Sequence, residues 1–195
     1  RFVAPVDCRR ALPSLVVPAS GVGGVTFTEE WFSPESQQAL ADLYAKVAHL
    51  EGDIVEVGCW EGRSTIALAK ACDPAWVRAV DTWQGSPGEV SETLAAERDV
   101  LSRFLANTAG MNIHVYVMGW RDYFADFPYP VRFIHIDATH TYTEVADNIA
   151  AALPFMVPGG VLCGDDALHP PVRDAVLAHF PDANVVASLW WVQVP

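Results

Sequence analysis

The chain has 195 residues, a hydrophobic fraction of 51% and a formal net charge of −12, from 24 acids against 12 bases. That length and apolar content suffice for one full-sized core and not for two ordinary catalytic domains. Polynucleotide binding is disfavoured because no Lys/Arg cluster exceeds Arg9-Arg10, and no apolar run approaches the roughly 18 to 20 residues that a membrane span requires.

Residues 1–27 mix prolines (Pro5, Pro13, Pro18) with glycines and show no sustained period, which predicts a surface-draped arm ahead of one domain over 28–195. The opening "RFVAPVDCRR" lacks the apolar stretch of a secretory signal. Cys8, Cys59, Cys72 and Cys163 form no C-x-x-C pair and read as reduced thiols, so a cytoplasmic protein is expected.

"FSPESQQALADLYAKVAHL" is a helix with Ser33 suited to the N-cap, Pro34 to the first turn, and Leu40, Leu43, Val47 and Leu50 on one face. "DIVEVG" (53–58) reads as a short buried strand, and "RSTIALAKAC" as a helix opening directly after glycines. "WVRAVD" (76–81) is a second strand ending on an acid. "TWQGSPGEVS" is a glycine-bearing loop, and "ETLAAERDVLSRFLANTAG" one long helix. "IHVYVM" (113–118) and "VRFIHID" (131–137) are the third and fourth strands. The helix after them starts at a capping box, Thr141 with Glu144. Pro158-Gly159-Gly160 precedes the strand "VLCGDD", then come a helix at "PPVRDAVLAHF" and a strand pair, "ANVVAS" and "LWWVQV". Helices alternating with continuously apolar strands predict an α/β, Rossmann-like, doubly wound and mostly parallel sheet, with ligands beyond the carboxyl ends of its strands.

Two clusters of residues carry chemistry. In "EVGCWEGRST", Gly58 and Gly62 flank a strand-to-helix turn where backbone can approach a ligand. A dinucleotide fingerprint needs glycine where Trp60 and Arg63 stand, so a pyrophosphate is disfavoured. Glu56 beside the turn suits a cation, and Asp81 at the next strand end suits both ribose hydroxyls. A cation together with a ribose points to S-adenosylmethionine. In "IHIDATHTY" and "VLCGDD", Asp137, Asp165 and Asp166 end two strands; if these are neighbours in a parallel sheet, the three carboxylates meet and would repel one another in a cleft without a counter-charge. All-oxygen ligation favours Mg²⁺ or Mn²⁺, with Ca²⁺ as the larger alternative. His140 has an ordinary pKa of about 6.5 and can take a hydroxyl proton.

"EVGCWEGRST", "AVDTW", "IHIDATHTY", "FMVPGGVLCGDD" and "SLWWVQV" together resemble a class I S-adenosylmethionine-dependent methyltransferase, from about residue 30 to the end. They are similar to the branch with a D-x-x-H-x-Y motif that methylates sugar hydroxyls of natural products. The resemblance implies a seven-stranded sheet with an antiparallel last strand. It implies cofactor contacts at Glu56, Gly58, Cys59, Trp60, Ser64, Asp81, Thr82, Trp120 and Asp137, a metal on Asp137, Asp165 and Asp166, and His140 as base. The expected partner is a small hydroxylated acceptor, sugar-like or phenolic; homo-oligomers are common among such enzymes. Loop 82–92, with Gly85 and Gly88, is the expected lid and Trp83 the expected substrate wall, while His135 reads as a core histidine and His169 as a loop residue. The rival readings are a metal-independent methyltransferase and a non-catalytic or oxidoreductase nucleotide-binding domain.

Overall fold

The computed structural model of the protein describes residues 14–16, 24–126 and 129–195. Most of the arm, Cys8 included, lies outside the described residues. The described elements are β1 (Leu15–Val16), α1 (Pro34–Ala45), β2 (Asp53–Val57), α2 (Arg63–Cys72), β3 (Val77–Asp81), α3 (Val90–Glu97), α4 (Val100–Asn107), β4 (Ile113–Val117), α5 (Trp120–Asp126), β5 (Val131–Ile136), α6 (Tyr142–Ala152), β6 (Met156–Gly164), α7 (Pro170–His179), β7 (Asn184–Val186) and β8 (Leu189–Gln193). No helix among them is long and apolar enough to cross a membrane.

The sheet runs β1-β4-β3-β2-β5-β6-β8-β7. Strands β2 to β6 are parallel, and β8 is antiparallel to both β6 and β7. The sheet therefore has eight described strands and not the seven expected. The extra one is β1, two residues of the arm paired antiparallel with β4, Leu15 opposite Val115. Two residues carry no readable period, which is why the segment passed for an irregular arm.

Alternate residues of each strand enter opposite cores. Ile54, Val77, Ala79, Ile113, Val115, Phe133 and Val161 pack under α1, α2 and α4. Val55, Val57, Val80, Tyr116, Ile134, Ile136 and Leu162 pack under α5, α6 and α7. Burial on both faces explains the unbroken apolar strands.

Three elements differ from the sequence expectation. The long helix is two helices, because Arg98 is extended and Asp99 caps α4, its carboxylate accepting the Ser102 amide at 3.0 Å. Strand β6 begins at Met156 and runs through Pro158-Gly159-Gly160, which fall in a register shift against β5 between Val131 and Phe133, where a residue without an N–H is tolerated. Helix α5 went unread.

Strands β2, β3 and β4 build outward, and the chain then returns to lay β5 on the other side of β2. The order reverses there, so a crevice opens beyond the ends of β2 and β5. Val57 pairs with Ile136, and Ile136 with Gly164, so Gly58, Asp137 and Asp165 leave the sheet at one level.

Candidate active site

A cavity of about 570 Å³ occupies that crevice. Its lining includes Gly58, Cys59, Trp60, Ser64, Asp81, Thr82, Trp120, Asp137 and His140, so nine of the ten residues expected at the cofactor or as base meet in one space. The volume is that of a cofactor-sized pocket.

Glu56 is the exception. Its side chain is fully buried, lines neither cavity, and sets Oε1 3.1 Å from Nδ1 of the equally buried His135. A period of two along β2 sends Glu56 and Val57 to opposite faces, and Glu56 takes the face of α1, where the Phe32 ring meets His135 edge-on at 5.7 Å. Burial alone would lower the His135 pKa, but Glu56 and the charges of Asp137 and Asp165 raise it. His135 is thus a core histidine, as expected, but satisfied only at Nδ1; its buried Nε2 meets no hydrogen-bond partner among the described residues.

Asp81 holds the glycine turn. Its Oδ2 accepts the amides of Cys59 (2.7 Å) and Trp60 (3.0 Å), and Oδ1 accepts that of Trp83 (2.7 Å). These backbone amides fix the Asp81 carboxylate at the mouth of the cavity. The turn needs this support: Trp60 has a φ of 47°, unusual for a bulky side chain, and the start of α2 at Gly62 has no side-chain cap. Trp83 is not a substrate wall either. It is buried against Phe104 at 4.9 Å, and its indole donates to the Trp60 carbonyl at 2.8 Å.

The outer wall of the cavity comes from a segment that sequence reasoning passed over. Phe27, Glu29, Trp31 and Phe32 line it. Glu61, 2% exposed, accepts the Thr28 amide at 2.7 Å and its hydroxyl at 2.6 Å. Asn107 exchanges two hydrogen bonds with the Thr26 backbone, Arg98 pairs with Glu29 at 2.9 Å, and Trp31 lies 5.3 Å from Trp60. Its aperiodic sequence, "VTFTEEW", held no signal, because the partners named above lie 29 or more positions away.

At the cavity's far end the expected metal ligands rearrange. Asp137, His140 and Asp166 each offer one donor atom, and the three atoms lie within 4.8 Å of one another. Asp165 is not in this group. It is buried and accepts a hydrogen bond from Ser188, which links on to Ser36 at 2.8 Å. Adjacent residues leaving a strand point to opposite sides, and Asp166, in the left-handed region at φ 58°, is the one turned to the mouth. Burial and the Asp137 charge push the Asp165 pKa up to about 6.

The His140 ring bridges the acids, with Nε2 3.3 Å from Asp137 Oδ1 and 3.0 Å from Asp166 Oδ2. Its Nδ1 lies 2.9 Å from Glu89 Oε2. Burial would lower its pKa, but hydrogen bonding to Asp137 and the charges of Asp137, Asp166 and Glu89 hold it at about 10. A raised folded pKa stabilises fully below the unfolded value of about 6.5 and stops stabilising as pH rises through the folded one. Cation-free protein is accordingly expected to lose melting temperature between pH 7 and 10.5, and His140→Ala to lose less over the same window. Parallel pH profiles for the two in thermal melts would contradict the ion cluster.

A second cavity, about 670 Å³ and more open, is lined by Glu89, Val90, His140, Thr141, Tyr142, Asp166, His169 and Pro171. Among the described residues the two cavities share one lining residue, His140. His169 therefore sits at a ligand-sized space, in a loop as expected, with its ring 6.3 Å from that of His140.

A methyltransferase domain family matches residues 55–167. No curated protein sequence matches the chain. Among solved structures, the O-methyltransferase NovP is 21% identical with a TM-score of 0.61, over 82% of this chain and 79% of that one. CalS11, a TDP-rhamnose 3'-O-methyltransferase of calicheamicin biosynthesis, is 15% identical with a TM-score of 0.58, over 83% of this chain and 81% of that one. An O-methyltransferase from Bacillus cereus in complex with SAH is 21% identical with a TM-score of 0.55, over 83% and 81%. At such identities the likeness is one of fold.

Proposed function

The chain belongs to the methyltransferase domain family, and from that premise we propose that it moves the methyl group of S-adenosylmethionine to a hydroxyl of a small sugar-like or phenolic acceptor, assisted by a divalent cation. The observation that carries this reading is the single residue common to both cavities. A donor in the first and an acceptor in the second meet at His140, where a proton must leave the acceptor oxygen.

The first cavity suits the donor. Gly58 brings backbone close to the ligand, Asp81 offers a carboxylate at the strand end for the ribose, and Trp60 and Trp120 offer aromatic faces. Its acids (Glu29, Glu61, Asp81, Glu92, Asp122 and Asp137) outnumber Arg63 and Arg121, which favours a sulfonium over a pyrophosphate. The sulfonium supplies an activated methyl group. The protein's part is to align the acceptor oxygen with that methyl and to take the proton.

Asp137, His140 and Asp166 fit a divalent cation by donor type and spacing. Asp137 and Asp166 would hold it, and its charge would offset the carboxylates that keep His140 protonated in the cation-free protein, so that the neutral imidazole could stand beside it as base; carboxylates favour Mg²⁺, Mn²⁺ or Ca²⁺, and a neighbouring imidazole favours Mn²⁺ among them. Bound there, the cation would lower the pKa of an acceptor hydroxyl. EDTA is therefore expected to reduce methyl transfer about a hundredfold or more, the scale of several kcal/mol of charge stabilisation, with recovery on adding Mn²⁺.

A second, metal-independent reading draws on the His140 ring itself, which already offsets Asp137 and Asp166 without another cation. Activity that survives EDTA would favour it. The donor half is tested by titrating the protein with S-adenosylhomocysteine in a calorimeter. Absence of binding would defeat both readings.

A further inference from the structure

Loop 82–92 folds back on itself before it reaches His140. The Ser86 amide donates to Ser91 Oγ at 2.9 Å and the Gly88 amide to Glu92 Oε2 at 2.8 Å. Gly85, at φ 75°, packs so closely on the backbone of Ser91 that an added Cβ would lie 2.3 Å from it. A loop cross-tied in this way moves as a unit. It also lies along both cavities: Gln84, Gly85, Ser86, Pro87, Ser91 and Glu92 line the first, and Glu89 lines the second. Ser86 Oγ further ties it to the Ala138 carbonyl at 3.2 Å.

Glu89 holds His140 at two points. Its Oε1 accepts the His140 backbone amide at 2.9 Å, and its Oε2 lies 2.9 Å from Nδ1 of the ring. One carboxylate spanning backbone and ring of a single residue sets both where that residue sits and how its imidazole is turned. With Nδ1–H donating to Glu89, the remaining nitrogen, Nε2, faces Asp137 and Asp166. Glu89 stands at the N-cap of α3, yet its side chain caps no helix amide. The carboxylate is committed to His140, so helix capping does not explain it.

We propose that Glu89 is the positioning residue for His140, and that the loop carrying it transmits donor occupancy of the first cavity to the imidazole. The proposal rests on the reading of His140 as the base. When the donor packs against Gln84–Pro87, the loop is steadied, and the two contacts by which Glu89 already holds His140 are made more persistent. Donor binding thereby fixes the orientation of the imidazole.

The test uses the full chain, labelled with ¹⁵N, and needs no acceptor. In Glu89→Ala the His140 amide is expected to exchange with solvent about tenfold faster or more, the factor that a hydrogen bond to a charged acceptor carries. The ring signal of an Nδ1-bound proton should be lost in the same variant. S-adenosylhomocysteine should slow His140 amide exchange in the wild type and leave it unchanged in Glu89→Ala. Glu89→Gln, which keeps one acceptor oxygen, should retain one of the two contacts and alter only the other readout, and it carries the test should Glu89→Ala fail to fold. Unaltered His140 exchange and ring spectra in the variants would overturn the positioning role. Equal slowing by S-adenosylhomocysteine in wild type and variant, or none in a wild type that binds it, would overturn the coupling. Failure of S-adenosylhomocysteine to bind at all would instead count against the donor assignment, and full turnover in His140→Ala against the base.

Discussion

His140→Ala is expected to lose about 10²- to 10⁴-fold in kcat, the range for removal of a general base, while its affinity for S-adenosylhomocysteine stays within roughly twofold of wild type. The ring touches the donor cavity only at its end, whereas Asp81, Trp60 and the glycine turn form the body of that cavity. An effect confined to turnover therefore separates proton transfer from donor binding. The substitution also removes the positive group between Asp137 and Asp166, so the cation-free variant should melt below the wild type at neutral pH and recover when Mn²⁺ is added. Steady-state kinetics with Mn²⁺ present, alongside calorimetry, checks both parts. Unchanged turnover would remove His140 from the mechanism.

Gly58→Ala is expected to damage fold and site together. A Cβ there would lie 1.8 Å from the Asp137 carbonyl oxygen and 2.4 Å from its carbon, both backbone atoms of the adjoining strand end, and φ is 84°. Strands β2 and β5 would have to part, at the cost of the hydrogen bond from the Asp137 amide to the Val57 carbonyl (2.7 Å). Left-handed strain with a backbone clash should exceed about 4 kcal/mol, a fall in melting temperature of about 10 °C or more for a chain this size. S-adenosylhomocysteine binding should vanish, because the same movement shifts Asp137 and the turn that Asp81 holds. Gly88→Ala is the control: it has a φ of 78° but no atom of the described residues within 4 Å of an added Cβ, so only local strain of about 1 kcal/mol is expected. A Gly58→Ala protein that melts and binds like Gly88→Ala would show that the close approach of β2 and β5 is not needed.

Features written in consecutive residues were legible before any fold was known. Strands ending on Gly58, Asp81 and Asp137 announce themselves by apolar runs that stop at a turn residue or an acid. The helix starts at Ser33 and Thr141 follow from side chains that accept the amide three residues on, at 3.1 and 3.3 Å. Alternation of helix and strand then implies a parallel sheet, and the crevice at its reversal follows. These readings succeed because each is decided by short-range geometry: φ preferences, capping, and the period of a strand.

What only the tertiary structure decided was which side each acid faces and what it meets. Glu56 and Asp165 were expected in the crevice and lie behind it, paired with His135 and Ser188, while Asp166, one residue on, turns to the mouth through a left-handed φ. Glu89 grips a histidine 51 positions away, and Glu61 anchors a strap 33 positions before it. No local pattern marks such partners, because a carboxylate at the end of a strand or in a loop is chemically the same residue whichever way its backbone turns. Its role is set by the chain that folding brings opposite it.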